Sequence, residues 1–277
     1  MPDSLPLVSI CIGVYNREQF LEKNLKSILS QTYSNLEIII SDNASTDRSV
    51  EIINSILSSA TIPHEVYVQE KNLGPDENYR FLANKAKGEF IALFHSDDVY
   101  SPTIIEESIN LFMNNSNENV GIIMAQSSES INIPKKKLYP IKTDDCFVID
   151  YKNYISYLAN KRANILNCPT AIWSRTALLS MEHENRYPDS NDLLEYLKIL
   201  KKGYVIFLND KVLHYYTRHA GQDSSMQKKV FNFTYPGIYK TTRDFICQDK
   251  IRNLYPPLFK YWLIETVKLI YRKISSK

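Results

Sequence analysis

FIALFHSDD, residues 90–98, is a run of five apolar residues followed at once by polar and acidic ones. A run that is apolar on both faces is typical of a strand buried in the middle of a parallel sheet. His95-Ser-Asp-Asp98 then stands at the carboxyl end of that strand. Because open α/β sheets bind their ligands at these ends, Asp97 and Asp98 are candidate site residues.

Two earlier apolar runs end in the same way. The run 7–14 is followed by Tyr15 and Asn16, and the run 36–40 is followed by Ser41 and Asp42. Apolar residues at helical spacing predict helices between the strands, at 20–29, 48–57 and 78–87. Strands that alternate with helices imply a parallel sheet with right-handed crossovers. We therefore expect the three strand ends to lie side by side.

The rest of the chain continues the α/β pattern less regularly. Further strands are predicted at 65–69, 120–125, 170–173, 204–208 and 211–216, and further helices at 151–160 and 192–200. The fold class is therefore α/β, with a central, mostly parallel sheet flanked by helices and a C-terminal helical extension.

The composition is that of an ordinary globular protein of 277 residues. Lys+Arg 33 against Asp+Glu 31 leaves a charge of +2, which gives no reason to expect a nucleic-acid partner. The four scattered cysteines form no CxxC pair, which favours reduced thiols in a cytosol. No apolar run approaches the roughly 20 residues of a membrane span, and no basic leader precedes one. We expect a cytoplasmic protein, with the inner face of the cell membrane as an alternative location.

Adjacent carboxylates at a strand end are candidate ligands for a divalent cation. Asp97 and Asp98 could hold Mn²⁺ or Mg²⁺, because these ions favour carboxylate oxygens and complete their shell with phosphate oxygens. A solvated turn or a helix cap is the alternative for such a pair.

Five segments in a fixed order extend this pattern along the chain. They are LVSICIGVYN at 7–16, SDNASTD at 41–47, KNLG at 71–74, AKGEFI at 86–91 and HSDDVYSP at 95–102. The series resembles the successive blocks of family 2 glycosyltransferases, which are inverting enzymes with the GT-A fold, here of the bacterial surface-polysaccharide type. The resemblance covers about the first 115 residues, and weaker matches continue to about residue 225.

The resemblance implies a nucleotide site in the first half of the chain. Val14, Tyr15 and Asn16 would contact the nucleoside diphosphate, together with Ser96. Asp42, which matches the family's acidic residue after the second strand, would accept a hydrogen bond from the base ring.

The resemblance also implies a metal site after the fourth strand. Asp97 takes the last position of the family's DxD motif and is the first choice as metal ligand, with Asp98 beside it. The chain departs from the motif at its first position, where His95 stands. Which of these three residues bind the metal therefore stays open. His95 could be a direct ligand or only a polar residue at the strand end.

A catalytic base is implied in the second half of the chain. SNDLLEYLKILKKG at 190–203 is similar to the family's helix start, and counting back from Gly203 puts Asp192 at the base position, with Asn191 in place of the usual Glu. An inverting transfer needs a carboxylate there to take the proton of the attacking hydroxyl. Asp192 could instead be only a cap or first-turn acid, with Asp189 as the base.

The segment YYTRHAGQDS at 215–224 resembles a loop that closes over the donor in part of the family. Arg218 and Ser224 would then hold the diphosphate by charge-assisted and neutral hydrogen bonds. Loop arginines are in general more often solvated. His219, or His214 in its place, could anchor the loop or contact the metal or phosphate.

The C-terminal stretch 257–274 is aromatic, apolar and basic, with Lys260, Glu265 and Lys268 interrupting it. It could lie at a membrane interface, with its basic residues attracted to anionic lipid. Alternatively, it could pack on the domain or on another subunit, so that a homo-oligomer also stays open.

These features predict the transfer of a sugar from a nucleotide-sugar donor, with UDP as the expected nucleotide, to a saccharide acceptor. The family and the C-terminal stretch favour an acceptor linked to polyprenyl diphosphate, as in O-antigen or capsule assembly. Residues 1–225 would form the GT-A domain, with a nucleotide half at 1–115 and an acceptor half at 116–225. Residues 226–277 would form the helical extension.

Two other functions stay open. A nucleotidyltransferase would also place a diphosphate at strand ends, although Gly13-Val-Tyr-Asn16 is a poor phosphate loop. A degenerate subunit that binds a nucleotide sugar without turnover is suggested by His95 and Asn191 at usually acidic positions.

Overall fold

The structure is a computed structural model. It describes residues 5–128, 142–143, 146–161, 164–166, 168–181, 190–219 and 237–275.

The first half of the chain alternates strands and helices as predicted. Its strands are β1 (Val8–Val14), β2 (Leu36–Asp42), β3 (His64–Val68), β4 (Phe90–His95) and β5 (Val99–Tyr100). Its helices are α1 (Leu21–Leu29), α2 (Ser49–Leu57), α3 (Pro75–Lys85) and α4 (Ile104–Asn114). Pro75 begins α3, where its missing N–H breaks no helical hydrogen bond, so this helix starts three residues before the predicted position.

The second half contains shorter and less regular elements. Its strands are β6 (Val120–Ser127), β7 (Lys142–Thr143), β8 (Cys146–Ile149), β9 (Ile172–Ser174) and β10 (Val205–Tyr215). Its helices are α5 (Tyr151–Lys161), α6 (Arg175–Leu179), α7 (Asn191–Lys201), α8 (Gly237–Gln248) and α9 (Tyr255–Ser275). None of the helices in the described ranges is both long and apolar enough to cross a membrane.

All of the described strands join one sheet in the order β3-β2-β1-β4-β9-β6-β10-β8-β7, with β5 paired to β10. Among the described strands, β5, β8 and β9 run opposite to the other seven, so the prediction of a mostly parallel sheet is confirmed. β4 lies between β1 and β9 and its apolar residues are largely buried, which confirms it as a central strand. β1 and β2 follow on one side of it, so their carboxyl ends lie next to that of β4.

One prediction for the second half was wrong. The runs 204–208 and 211–216 form a single strand, β10, and not two. The register between β10 and β6 shifts between Leu208 and Val212 and again before His214. These irregularities accommodate, within one strand, the polar residues that suggested a break between two strands. Asn209 stabilises the irregularity because its side-chain oxygen accepts a hydrogen bond from the Lys211 N–H at 3.0 Å.

The sheet is packed between two layers of helices. Residues of α1, α2 and α4 form one apolar cluster with one face of the sheet, and residues of α3 and α5 to α9 form the other. Gly13 lets α3 approach β1 closely, because a Cβ there would lie only 3.2 Å from Asn78 Nδ2 and 3.3 Å from Tyr79 Cε2. The sheet is therefore buried on both faces, and its strand ends are left for ligands.

Asp249, just after α8, ties three helices together. Its carboxylate accepts a hydrogen bond from the Tyr151 hydroxyl of α5 and pairs with Lys201 of α7. Burial alone would raise the pKa of Asp249, but the bonds from Lys201 and Tyr151 outweigh it, so the pKa lies below the ordinary value of 3.8.

Asp249→Ala should therefore lower the free energy of unfolding by about 2 kcal/mol at neutral pH, because a charged hydrogen-bond acceptor is lost. An aspartate whose pKa is depressed on folding stabilises above its unfolded pKa and loses that effect as the pH falls through the folded value. The difference between wild type and variant should thus shrink on acidification below about pH 4. Urea unfolding at several pH values measures this. Glu51→Ala, which removes an exposed pair with Arg48, is the control and should have little effect.

Candidate active site

The carboxyl ends of β1, β2 and β4 meet at one edge of the sheet, as predicted. The Asn43 N–H after β2 donates to the carbonyl of Val14 at the end of β1, at 2.7 Å. Arg17, three residues after β1, places its Nε 3.2 Å from Oδ2 of Asp97 after β4. Three segments that are far apart in the chain thus form one continuous surface.

The loop after β1 is held in one conformation by the loop after β2. Asn16 has a φ of +52°, a left-handed conformation that asparagine tolerates better than most residues. Its N–H donates to Ser45 Oγ at 2.9 Å, and its side-chain oxygen accepts from the Thr46 N–H at 2.8 Å. Val14 is buried, whereas the ring of Tyr15 is exposed to solvent beside this loop.

Asp42 ends β2 and is fully buried. Its Oδ2 accepts a hydrogen bond from the Ser45 N–H at 2.9 Å. Its Oδ1 is also buried and has no hydrogen-bond partner within the part of the chain that the structure describes. A buried carboxylate oxygen without a partner is costly, so this atom is suited to accept an N–H from a ligand.

His95, Asp97 and Asp98 form a cluster at the end of β4. Each offers one ligand atom, and the three atoms lie within 4.8 Å of one another. Two carboxylates with one imidazole suit a divalent cation that accepts both oxygen and nitrogen ligands. The residues present therefore fit a metal site, with His95 in place of the carboxylate that begins the DxD motif. Ser96, between them in the chain, is buried.

Asp97 is held from two sides. His219 places Nε2 2.9 Å from Oδ2, the atom that Arg17 also approaches. Burial alone would raise the pKa of Asp97, but His95, the hydrogen bond from His219 and Arg17 outweigh it, so the pKa lies below its ordinary value. The carboxylate is therefore ionised at neutral pH. Phe20 stacks on the His219 ring with centroids 4.4 Å apart, which fixes that ring.

Asp98 is almost completely buried and joins β4 to the end of β10. Its Oδ1 accepts a hydrogen bond from the Thr217 N–H at 2.9 Å. Its Oδ2 lies 3.0 Å from Nε2 of the buried His214, within ion-pair distance, although neither atom makes a hydrogen bond of good geometry to the residues that the structure describes. His214 Nδ1 lies 3.0 Å from Ser127 Oγ. The sequence left His214 and His219 as alternatives, whereas in the structure His214 lies beside Asp98 and His219 beside Asp97.

Asp192 lies in the first turn of α7, and the residue at the N-cap is Ser190. The adjacent Asn191 donates from Nδ2 to Asp76 Oδ2 at 3.1 Å, so the starts of α7 and α3 face each other. The pKa of Cys168 is raised to about 12, mainly by burial and secondly by the charge of Asp192.

Tyr79 links this region to the acidic cluster. The pKa of Tyr79 is raised well above its ordinary value, mainly by burial and then by electrostatic interaction with Cys168 and Asp97. Its hydroxyl donates to the carbonyl of Phe94 in β4 at 2.9 Å. The charge of Asp192 therefore acts on Cys168, and the charge of Asp97 acts on Tyr79.

The segment after β10 carries the predicted diphosphate residues. Arg218 is exposed and lies between Thr217, which is bonded to Asp98, and His219, which is bonded to Asp97. Ser224 and Asp189 lie outside the described residues. Arg17 was missed by the sequence reasoning, and the only signal for it was its position just after the β1 end.

The sheet order is that of the GT-A fold. The crystal structure of S. aureus TarS 1-349 in complex with UDP-GlcNAc matches with a TM-score of 0.63 and 18% identity, over 85% of this chain and 66% of that one. The mannosyltransferase PcManGT from Pyrobaculum calidifontis, in complex with GDP-Man and Mn²⁺, matches with a TM-score of 0.60 and 14% identity, over 99% and 87%. The model of the family "Glycosyl transferase family 2" matches residues 9–179. The chain belongs to this family and is a glycosyltransferase.

Two curated relatives illustrate the range of the family. The chain is 32% identical over 228 residues to the Escherichia coli UDP-Glc:alpha-D-GlcNAc-diphosphoundecaprenol beta-1,3-glucosyltransferase WfaP, covering 81% of this chain and 82% of that protein. It is 43% identical over 94 residues to the abequosyltransferase RfbV of Salmonella typhimurium, covering 33% of this chain. That match spans only 28% of RfbV, and a match to an uncharacterised Haemophilus influenzae glycosyltransferase spans 44% of that protein.

Proposed function

We propose that this chain transfers a sugar from a UDP-sugar, with inversion, to a hydroxyl of a saccharide carried on polyprenyl diphosphate, in the assembly of a bacterial surface polysaccharide such as an O-antigen or capsule. The observation that carries the proposal is the pairing of two features at one sheet edge. Asp42, at the end of β2, has a buried carboxylate oxygen without a partner among the described residues, and the cluster of His95, Asp97 and Asp98 lies at the end of β4.

The donor occupies the edge formed by β1, β2 and β4. Asp42 Oδ1 accepts the N–H of the uracil ring, and Tyr15 and Asn16 flank the nucleoside. Uracil presents one ring N–H flanked by carbonyl oxygens, which matches a lone buried acceptor. The UDP-Glc in the name of WfaP supports uridine as the nucleoside.

The diphosphate lies over the acidic cluster. Asp97, with Asp98 and His95, would hold Mn²⁺ or Mg²⁺, which neutralises the charge on the departing diphosphate when bound. Arg218 adds a second positive charge from the β10 side, and Ser224 adds a hydrogen bond. His219 and Arg17 keep the Asp97 carboxylate ionised and oriented.

Asp192 takes the proton of the acceptor hydroxyl as that oxygen attacks the anomeric carbon. A base on the opposite side of the sugar from the leaving diphosphate gives inversion. The position of Asp192 in the first turn of α7, whose start faces the start of α3, supports this role. The diphosphoundecaprenol acceptor in the name of WfaP supports a lipid-linked saccharide as the acceptor.

The first test is calorimetric titration of the protein with UDP, GDP, CDP and dTDP, each with Mn²⁺ and with EDTA. We expect UDP to bind most tightly and to need the cation. UDP-glucose with a GlcNAc-diphosphoprenol acceptor then tests transfer. Tight binding without transfer or hydrolysis of any donor would favour the binding-only alternative, and no binding of any nucleotide would overturn the proposal.

Asp42→Asn should weaken UDP binding by about tenfold or more, because an acceptor on a charged group is worth about 1.5–3 kcal/mol. The amide can keep the bond from the Ser45 N–H while it removes the free carboxylate oxygen. Since that oxygen is buried without a partner, the variant should be at least as stable as the wild type, which thermal unfolding will show. Unchanged UDP affinity would mean that Asp42 does not contact the base.

A further inference from the structure

The outer side of α9 presents large apolar side chains to solvent. Phe259, Leu263 and Val267 are 63%, 48% and 59% exposed and follow one another four residues apart, so they share one side of the helix. Tyr255 and Trp262 are also exposed and flank this row, and Trp262 stacks on Phe259 with centroids 5.5 Å apart. These five residues are called the α9 outer face.

The other side of α9 is already packed on the protein. Leu258 and Tyr261 are buried in the large apolar cluster, and the Tyr261 ring meets Tyr239 of α8 with centroids 5.1 Å apart. Glu265 is buried on this side and pairs with Lys268 at 2.7 Å. A helix whose only apolar side is packed on the protein needs no further partner. Because α9 also has the exposed apolar outer face, it presents a second surface that could bind a partner.

Charge is segregated between this end and the rest of the chain. Residues 250–277 contain seven basic residues and one acidic residue, Glu265, a net charge of +6. Residues 1–249 contain 26 basic and 30 acidic residues, a net charge of −4. Lys260 is exposed next to Phe259 in the chain, and the side chain of Lys250 is also exposed. The apolar surface therefore belongs to the basic end of an otherwise acidic molecule.

We propose that the α9 outer face binds the surface of an anionic phospholipid bilayer, with α9 lying in the plane of the headgroups. Aromatic residues with basic neighbours are the usual composition of such interfacial helices. Each lysine near an anionic surface adds attraction. A second copy of the chain fits this face less well, because it would bring two segments of charge +6 together. The inference rests on α9 and not on the donor or acceptor of the transferase.

Trp262 gives a direct readout in the full chain. The chain has two tryptophans, and Trp173 is buried in the core, so vesicles can change only the surroundings of Trp262. We expect vesicles of phosphatidylcholine and phosphatidylglycerol to shift the emission to shorter wavelength and to sediment the protein. Added salt should weaken this binding, and vesicles of phosphatidylcholine alone should bind much less.

Two variants test the surface itself. Phe259→Glu combined with Val267→Glu should weaken vesicle binding at least about tenfold, because two apolar side chains no longer enter the interface. Lys260→Glu should weaken it about fivefold or more through charge. The control, Val68→Glu, alters a side chain that is 58% exposed on β3 and should bind vesicles as the wild type does.

UDP calorimetry and thermal unfolding of each variant establish that the fold is kept and separate this test from that of the transferase function. The inference would be overturned if the wild-type protein did not bind anionic vesicles. It would also be overturned if all of the variants bound these vesicles as tightly as the wild type does. Sedimentation of the protein without vesicles then tests the alternative occupant of this face, a second copy of the chain. A dimer that dissociates in the Phe259→Glu, Val267→Glu variant would assign the α9 outer face to a second copy.

Discussion

Asp97→Asn should lower sugar transfer by about a thousandfold, the scale expected when the proposed ligand of the cation that neutralises the leaving diphosphate is removed. Asp97 is the member of the acidic cluster whose carboxylate is ionised, oriented by His219 and Arg17, and still accessible from the strand edge. The amide keeps the size of the side chain but removes its charge. UDP should then bind with the same affinity in Mn²⁺ as in EDTA, whereas the wild type should bind UDP more tightly in Mn²⁺.

Asp244→Asn is the matched control. Asp244 lies on α8, outside the acidic cluster, and pairs with Arg243, so the same chemical change there should leave both activity and the effect of Mn²⁺ intact. If Asp97→Asn protein still bound UDP more tightly in Mn²⁺ than in EDTA, Asp97 would not be the principal ligand. His95 and Asp98 would then be the residues to change next.

Asp192→Asn should reduce transfer by about 10²- to 10⁴-fold while UDP binding stays within about twofold of the wild type. As the proposed general base, Asp192 would act on the acceptor hydroxyl and not on the nucleotide, so we expect only turnover to depend on it. Steady-state rates, together with calorimetric affinities on the same preparation, separate the two effects.

Asp189→Asn distinguishes Asp192 from its rival. Asp189 precedes the N-cap Ser190, and it is the acidic residue nearest to Asp192 on the N-terminal side. If turnover fell with Asp189→Asn and survived Asp192→Asn, Asp189 would be the base and Asp192 a first-turn acid of α7. A parallel loss of UDP binding and turnover in Asp192→Asn would instead show that the start of α7 supports the donor site.

The first half of the fold could be predicted from the sequence because its signals are local. Each strand there is a short apolar run followed by polar residues, and each crossover helix has its own apolar spacing. Parallel neighbours then bring Tyr15, Asp42 and Asp97 to one edge without further information. The family resemblance added roles to residues that the pattern had already placed.

The second half depended on tertiary contacts that leave little trace in the sequence. β5 and β7 have two residues each, too few for any periodicity, and the bulges of β10 interrupted its alternation. The insertion of antiparallel β9 between β4 and β6 is decided by packing in the finished sheet. For the same reason, the contact of Arg17 with Asp97 could not be read from either residue alone.

Asp97 Oδ2 is approached by both Arg17 and His219, and in the proposed donor site this arrangement would couple cation binding to nucleotide binding. A cation that arrives alone meets a carboxylate whose charge Arg17 already balances. A cation that arrives with a diphosphate meets a better site, because the phosphate oxygens give Arg17 another partner. The two affinities should therefore rise together, and linkage requires each ligand to strengthen the other by the same factor. We therefore expect cation and nucleotide to bind cooperatively through this one carboxylate.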